Sequence, residues 1–153
     1  MDCKEYDSRP DTLAHIQQVR EFMFQMMFAL SDRAKHHDKS KLEDPEKVHF
    51  DRETPLLKRL TYGTDEYYAA LVRLKPALDH HYWAISHHPE HYPEGIEGMS
   101  LLDLAEMFCD WKAASMRHED GNFGDSLKKS GERFKVSGQL QRIFKNTQRE
   151  MNW

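Results

Sequence analysis

Between Ile16 and Leu30 the apolar side chains return at intervals of three and four residues: Ile16, Val19, Phe22, Met23, Met26, Met27 and Leu30. That period is helical, because 3.6 residues per turn bring such positions onto one stripe, whereas a strand requires alternation. No stretch of useful length alternates apolar with polar, and neither an internal repeat nor a low-complexity segment is present. The chain is therefore expected to be all-α. Pro10 and Asp11 suit the first turn of this helix. Its stripe is expected to be buried, with the methionines as adaptable core filler. The polar run from Ser31 to Asp38 ends the stripe.

The remaining helices follow from caps and breakers. The stretch from Pro45 to Gly63 reads as a short helix with loops. Thr64 is placed to cap a second long helix, whose buried side is Tyr67, Ala70, Leu71, Leu74 and Leu78. Pro76 is expected to kink or split it, and the histidine-rich stretch to continue it as far as Pro89. After a loop from Pro89 to Gly98, Ser100 caps a third helix with Asp103 in its first turn. Leu101, Leu104, Ala105 and Phe108 share one face of that helix, and Asp103, Glu106, Asp110 and Arg117 another. Gly121 and Gly124 break the chain, 126–134 forms a short helix, and Ser137 begins a last one with Leu140, Ile143 and Phe144 inward. At 153 residues the simplest organisation is a single-domain helical bundle over 1–153.

The mixed-sign net charge of −4 suggests no surface for a nucleic-acid polymer, while leaving room for a small anionic substrate. Cys3 and Cys109 form no CxxC pair, which argues against a disulfide scaffold or a thiolate finger and fits a reducing cytosol. No basic and apolar leader opens the chain, and no apolar run reaches the ~18 residues that span a membrane. A cytoplasmic protein without a membrane partner is expected. A homo-oligomer is left open.

Chemistry concentrates in histidine. Five of the ten histidines fall within 79–91, as two His-His pairs seven residues apart plus His91. On a helix, seven residues is about two turns, so His80 and His87 would share one face and His81 and His88 another. Imidazole and carboxylate donors without thiolates suit Mn, Fe, Co, Ni or Zn. The candidate ligands are His37 with Asp38, the two pairs, and Asp110, a carboxylate set between Cys109 and Trp111. Adjacent histidines diverge by about 100° on a helix, so one member of each pair can be a supporting residue rather than a ligand. His36 and His49 read as surface residues, His118 as a partner of a helix C-terminus, and Asp103 and Glu106 as decoration of an exposed face.

Three of these elements together resemble a known superfamily. His37-Asp38-Lys39-Ser40-Lys41 is similar to the His-Asp-x-Gly-Lys element of the HD-domain metal-dependent phosphohydrolases, with Ser40 in place of the glycine. The stretch from His87 to Gly95 resembles the His-His-Glu segment of its cyclic-dinucleotide branch. Leu104 to Ala114 resembles the later helix carrying the last aspartate ligand. This likeness covers residues 37–114. Over nearly its whole length the chain also resembles a small family of unknown function from bacteriophages and bacteria, which would place it in a bacterial or host cytoplasm.

The superfamily resemblance implies one or two divalent ions (Mn, Fe, Co, Ni, Zn or Mg) held by His15, His37, Asp38, His81, His87, His88 and Asp110. Asp38 would be shared between two ions. It further implies hydrolysis of a nucleotide or nucleotide-like phosphoester by a metal-activated water. Lys41 would hold phosphate or the metal water, and Glu90 or His91 would protonate the leaving group. Lys58, Tyr62, Lys112 and Arg117 would bind the anion. His15 qualifies only if the first helix breaks near Ser31-Asp32, because 22 unbroken helical residues would separate it from His37 by about 33 Å. Two alternatives share this ligand set: an HD-type di-iron oxygenase, and a non-enzymatic phage accessory protein with a structural metal site.

Overall fold

The computed structural model describes residues 6–60, 64–117 and 121–153. Tyr62 and His118 lie outside the described residues. Among those described there are six α-helices and no strand: α1 (Arg9–His36), α2 (Glu46–Leu57), α3 (Asp65–Ala84), α4 (Leu101–Ser115), α5 (Phe123–Arg133) and α6 (Gly138–Glu150). Short 3₁₀ turns occupy Lys39–Leu42, Pro89–His91 and Gly95–Gly98. The all-α expectation holds. The chain divides into two compact units, residues 1–36 and 37–153.

The first unit is α1. It runs unbroken through Ser31 and Asp32 to His36 and has no buried residue. Within this unit the stripe expected to be buried has no cover: Phe22 is 55% and Met23 60% exposed. A lone helix has no partner within its own unit to cover such a face.

The second unit builds its core around α4. Met107 and Phe108 meet Phe123 and Leu127 of α5, Val136, and Phe144 of α6. Phe108 stacks on Phe144 at 5.2 Å and on Trp153 at 5.6 Å. A second contact joins α2 to α3, where Ala70, Leu74 and Ala77 are buried. Two residues with side chains this small let a neighbouring backbone approach closely. The buried carboxylate of Glu53 on α2 accepts from Arg52 Nε at 2.7 Å and Arg73 Nε at 3.0 Å. This ties α2 to α3.

Local signals fix the helix starts as expected. Thr64 accepts from the Tyr67 amide, Ser100 and Asp103 form a reciprocal capping box, and Ser137 accepts from the Leu140 amide. Pro76 does not split α3, which continues to Ala84, since a missing amide removes one bond of a twenty-residue ladder. The histidine stretch, however, leaves the helix. Ile85 is extended and so is His88, as the residue before a proline prefers. The chain turns back instead of running on.

Two measurements test this core. Phe108→Ala is expected to cost about 3–5 kcal/mol in denaturant unfolding, the range for an aromatic removed from a packed core; a loss under about 1 kcal/mol would show that the aromatic stack does not hold the unit together. Burial pushes the Glu53 carboxyl up, but Arg52 and Arg73 outweigh it and hold it below its ordinary 4.5. Its contribution to stability is thus complete above 4.5 and lost as pH falls from there through the lower folded-state value. Glu53→Gln should flatten the acid limb of the stability-pH curve, and an unchanged limb would remove Glu53 from that role.

Candidate metal centre

Four segments of the second unit supply the cluster: the turn after α1, the last turn of α3, the loop beyond it, and one face of α4. Asp38 sits at φ 55°, a left-handed conformation that aspartate tolerates better than most residues. His81 closes α3. His87 and His88 follow in the loop, and Glu106 and Asp110 lie one turn apart on α4.

The loop is held by a carboxylate that sequence reasoning placed on an exposed face. Asp103 is 2% exposed. Its Oδ1 accepts from Ser86 Oγ at 2.7 Å, and its Oδ2 from Tyr92 Oη at 2.9 Å and Ser100 Oγ at 2.6 Å. The residue just before His87 is thereby fastened to the start of α4. Gly98 is needed close by, because a Cβ there would come within 2.8 Å of Tyr92 Cβ.

Donor atoms converge in overlapping groups. Asp38, His81, His87 and His88 each offer one atom within 4.8 Å of the others, and so do His37, Asp38 and Asp110. His81 Nε2 lies 2.9 Å from His88 Nε2 and 3.2 Å from Asp38 Oδ1, and His87 Nε2 lies 3.7 Å from that same oxygen. These spacings bracket the roughly 3.3 Å between donors of a tetrahedral shell with bonds near 2 Å. His37 Nε2 is 3.6 Å from Asp38 Oδ2 and 3.9 Å from Asp110 Oδ1. Asp38 Oδ1 and His87 Nε2 are buried without a hydrogen-bond partner, a costly state for polar atoms unless a ligand completes them. By donor type, spacing and orphaned atoms, the residues fit a divalent ion.

Behind the donors stand two carboxylates. Glu46, fully buried, lies 2.8 Å from His80 Nδ1 through Oε1 and 3.0 Å from His81 Nδ1 through Oε2. Ser40 Oγ donates to the same Oε2 at 3.0 Å. Glu106 Oε1 is 2.9 Å from His37 Nδ1 and 3.0 Å from His87 Nδ1, although the His87 contact is not aligned as a hydrogen bond. A carboxylate facing Nδ1 keeps the proton there and leaves the Nε2 lone pair for a metal. Glu106 is thus no surface decoration, and His80 belongs with Glu46 rather than with the converging donors. His37, His87 and Glu106 also form a converging group, but with both Nδ1 atoms on one carboxylate oxygen we read it as support.

Charge is tuned to match. Burial pushes the Asp38 carboxyl up, yet His81 and Lys41 outweigh it and hold it well below the usual carboxylate range. Burial, with His87 and His81 alongside, pushes the His88 imidazole down to about 3. Burial also lowers His87. An ionised carboxylate beside His87 and His88, both pushed toward the neutral form, is a state that binds cations.

The other expected residues fall in several places. Lys41 Nζ is 2.6 Å from Asp38 Oδ2 and lies over the Phe50 ring. Lys58 lines a surface groove of about 450 Å³ with Phe50, Thr54 and Arg59. Lys112 Nζ sits over the Phe123 ring and Arg117 is exposed. Glu90 accepts from Arg133 Nη2 at 2.9 Å, and His91 Nδ1 is 3.0 Å from the Tyr82 carbonyl. Both line a second groove with Tyr82 and Trp83. His15 lies on unbroken α1 about 32 Å along the axis from His36, and no converging group among the described residues includes it. The helix break that His15 required does not occur.

Residues 4–151 match the model of a family described as a family of unknown function (DUF5662). The chain belongs to that family. No curated protein and no solved structure matches it. No helix among the described residues is long and apolar enough to cross a membrane. What the site does therefore has to be argued from its own atoms.

The two supporting carboxylates give a direct test. Glu106→Gln and Glu46→Gln are each expected to weaken metal binding about 10- to 100-fold, the usual effect of losing such support, with helical content unchanged. Competition against a coloured chelator measures it. Native affinity in both variants would mean that the histidines orient themselves.

Proposed function

We propose that this chain is a metal-dependent hydrolase of a phosphoester, its substrate a nucleotide or nucleotide-like small molecule. The observation that carries this reading is the position of Asp38, whose two oxygens face different donor groups. The group of Asp38, His81, His87 and His88 offers four donors and can close a shell. His37, Asp38 and Asp110 offer three and leave positions for water, as catalytic sites do. When bound, divalent ions would acidify a water and draw charge from the phosphoryl oxygens.

The chain's own residues supply the rest. Glu46 and Glu106 orient imidazoles, and burial keeps His88 neutral. His81 and Lys41 hold Asp38 ionised, and Lys41 Nζ, 2.6 Å from Asp38 Oδ2, has reach to a phosphate oxygen. Phe50 lies under Lys41 and also lines the groove containing Lys58 and Arg59. That groove would give an anionic substrate with a flat ring both charge and an apolar surface. The order His-Asp, His-His, Asp along the chain, resembling the HD superfamily, agrees with this reading.

One observation favours a second reading. Four donors suffice for a closed structural site, so a single ion held without turnover would mark a structural role. The test uses untagged protein, elemental analysis for bound metal, and a screen of nucleotides and phosphodiesters with added Mn or Co. Two ions per chain and turnover are expected. Asp38→Asn should lose at least about 100-fold in rate, in keeping with the several kcal/mol that metal activation supplies. Metal-free wild type, or Asp38→Asn turning over like wild type, would overturn the proposal. One tightly held ion without turnover would select the structural reading, and oxygen uptake with iron an oxygenase.

A further inference from the structure

Two grooves of different character border the cluster of donor atoms. The first has Phe50 on its wall and meets the donors through Lys41, which lies over that ring and 2.6 Å from Asp38 Oδ2. The second, of about 590 Å³, meets them through Tyr82, whose ring centre is 5.0 Å from that of His88. His88 leads directly into the Pro89–His91 turn, so Glu90 and His91 line this groove as chain neighbours of a donor.

Charge separates the two. Lys58 and Arg59 line the first groove with a single carboxylate, Asp51. In the second, each cation has its own carboxylate: Lys75 Nζ is 2.6 Å from both oxygens of Asp79, and Arg133 Nη2 is 2.9 Å from Glu90 Oε1. A lining balanced in this way does not concentrate anions. What it offers is aromatic surface. Trp83, in the last turn of α3 beside Tyr82, is 76% exposed, and an indole left so open gains from a flat ring stacked on it. Polar groups of both kinds stand around it. Glu90 can accept and Arg133 can donate, while His91 turns Nδ1 to the Tyr82 carbonyl at 3.0 Å, which leaves Nε2 as an acceptor. A stacking face bordered by donors and acceptors is what recognition of a nucleobase requires.

We infer that the groove of Tyr82 and Trp83 is a base-binding subsite: an uncharged nucleobase stacks on Trp83, and its phosphoester reaches the donor atoms past Tyr82. Any further anionic part of the ligand extends toward Lys58 and Arg59, where the lining carries an excess of positive charge. The place given to the phosphoester rests on the hydrolase reading. The place given to the ring rests on the groove alone.

The experiment titrates the full chain with the common nucleoside 5′-monophosphates and with ribose 5-phosphate, which has the phosphate and no base. Calorimetry gives the affinity and tryptophan emission the location, with chelator present to stop metal-dependent turnover. At least one mononucleotide should quench the emission and bind about 10-fold or more tighter than ribose 5-phosphate. Trp83→Ala should abolish that quenching and cost about 10-fold in affinity, whereas Trp83→Phe should stay within about 3-fold of wild type, the scale of one base–aromatic stack. Ribose 5-phosphate should bind both variants as it binds the wild type. Equal affinity for mononucleotides and ribose 5-phosphate overturns the inference. So does a mononucleotide that binds Trp83→Ala as tightly as wild type, since the ring then lies elsewhere. Neither reading needs turnover, so failure of the hydrolase proposal is seen separately: base-dependent binding through Trp83 in a chain that hydrolyses no phosphoester removes the reaction and keeps the subsite.

Discussion

The site depends on how a buried imidazole is held. Each ring has two nitrogens, and one can face a metal usefully only if the other is tied down and keeps the proton. Here two carboxylates serve four rings. Glu46 faces the Nδ1 atoms of His80 and His81, and Glu106 those of His37 and His87. Without them His37 and His81 could rotate about their last torsion and their donor atoms would scatter. Burying Glu46 carries a desolvation cost, which the contacts to both imidazoles and to Ser40 offset. Asp103 plays the equivalent part for the backbone, fixing the loop through Ser86 and Tyr92.

Much of the fold was legible because its signals are local. The helical period of α1 and the caps at Thr64, Ser100 and Ser137 each act within a few residues. The expected continuation of the helix through His87 failed because one repeat, seven residues, was read as helical facing. Pro89 carried the opposite signal, since it disfavours helical backbone at His88. The actual meeting of His81 and His88 comes from a chain that leaves the helix and returns. Three candidate donor elements that the structure brings together were readable by residue type, namely His37-Asp38, the histidine pairs and Asp110. Their supports were less so. Asp103, Glu106 and Asp110 share one face of α4 by spacing, which is a usable hint of a common task. Nothing local marks Glu46, whose partner His81 is 35 residues away.

The buried stripe expected on α1 shows where periodicity stops being informative. An apolar stripe states that a helix needs a covering surface and is silent about which surface. Burial is a property of the assembled molecule, so a helix that forms a unit of its own keeps its pattern without a cover inside that unit. His15 follows the same logic. Its candidacy required a break in the helix, and the polar run from Ser31 to His36 changes the face of α1 without ending it, because Arg, Ala and Lys are good helix formers.

Whether the centre performs chemistry or only holds an ion turns on Asp38. A carboxylate buried in a cluster of imidazoles would ordinarily be pushed toward its neutral form, but Lys41 and His81 reverse that and keep it charged. One charge can complete a shell with His81, His87 and His88. On the proposed hydrolase reading, what a purely structural site would leave unused is His37, 3.6 Å from the other oxygen with Asp110 beside it, and the lysine 2.6 Å from that oxygen. A lysine beside a structural ligand would compete with the ion for the carboxylate. On the proposed reading, the same lysine would neutralise Asp38 in the free protein and would turn to an anionic substrate when metal is bound. The left-handed backbone at Asp38 points the same way, since conformations of that kind persist where the surroundings over-determine them, and they concentrate at functional sites.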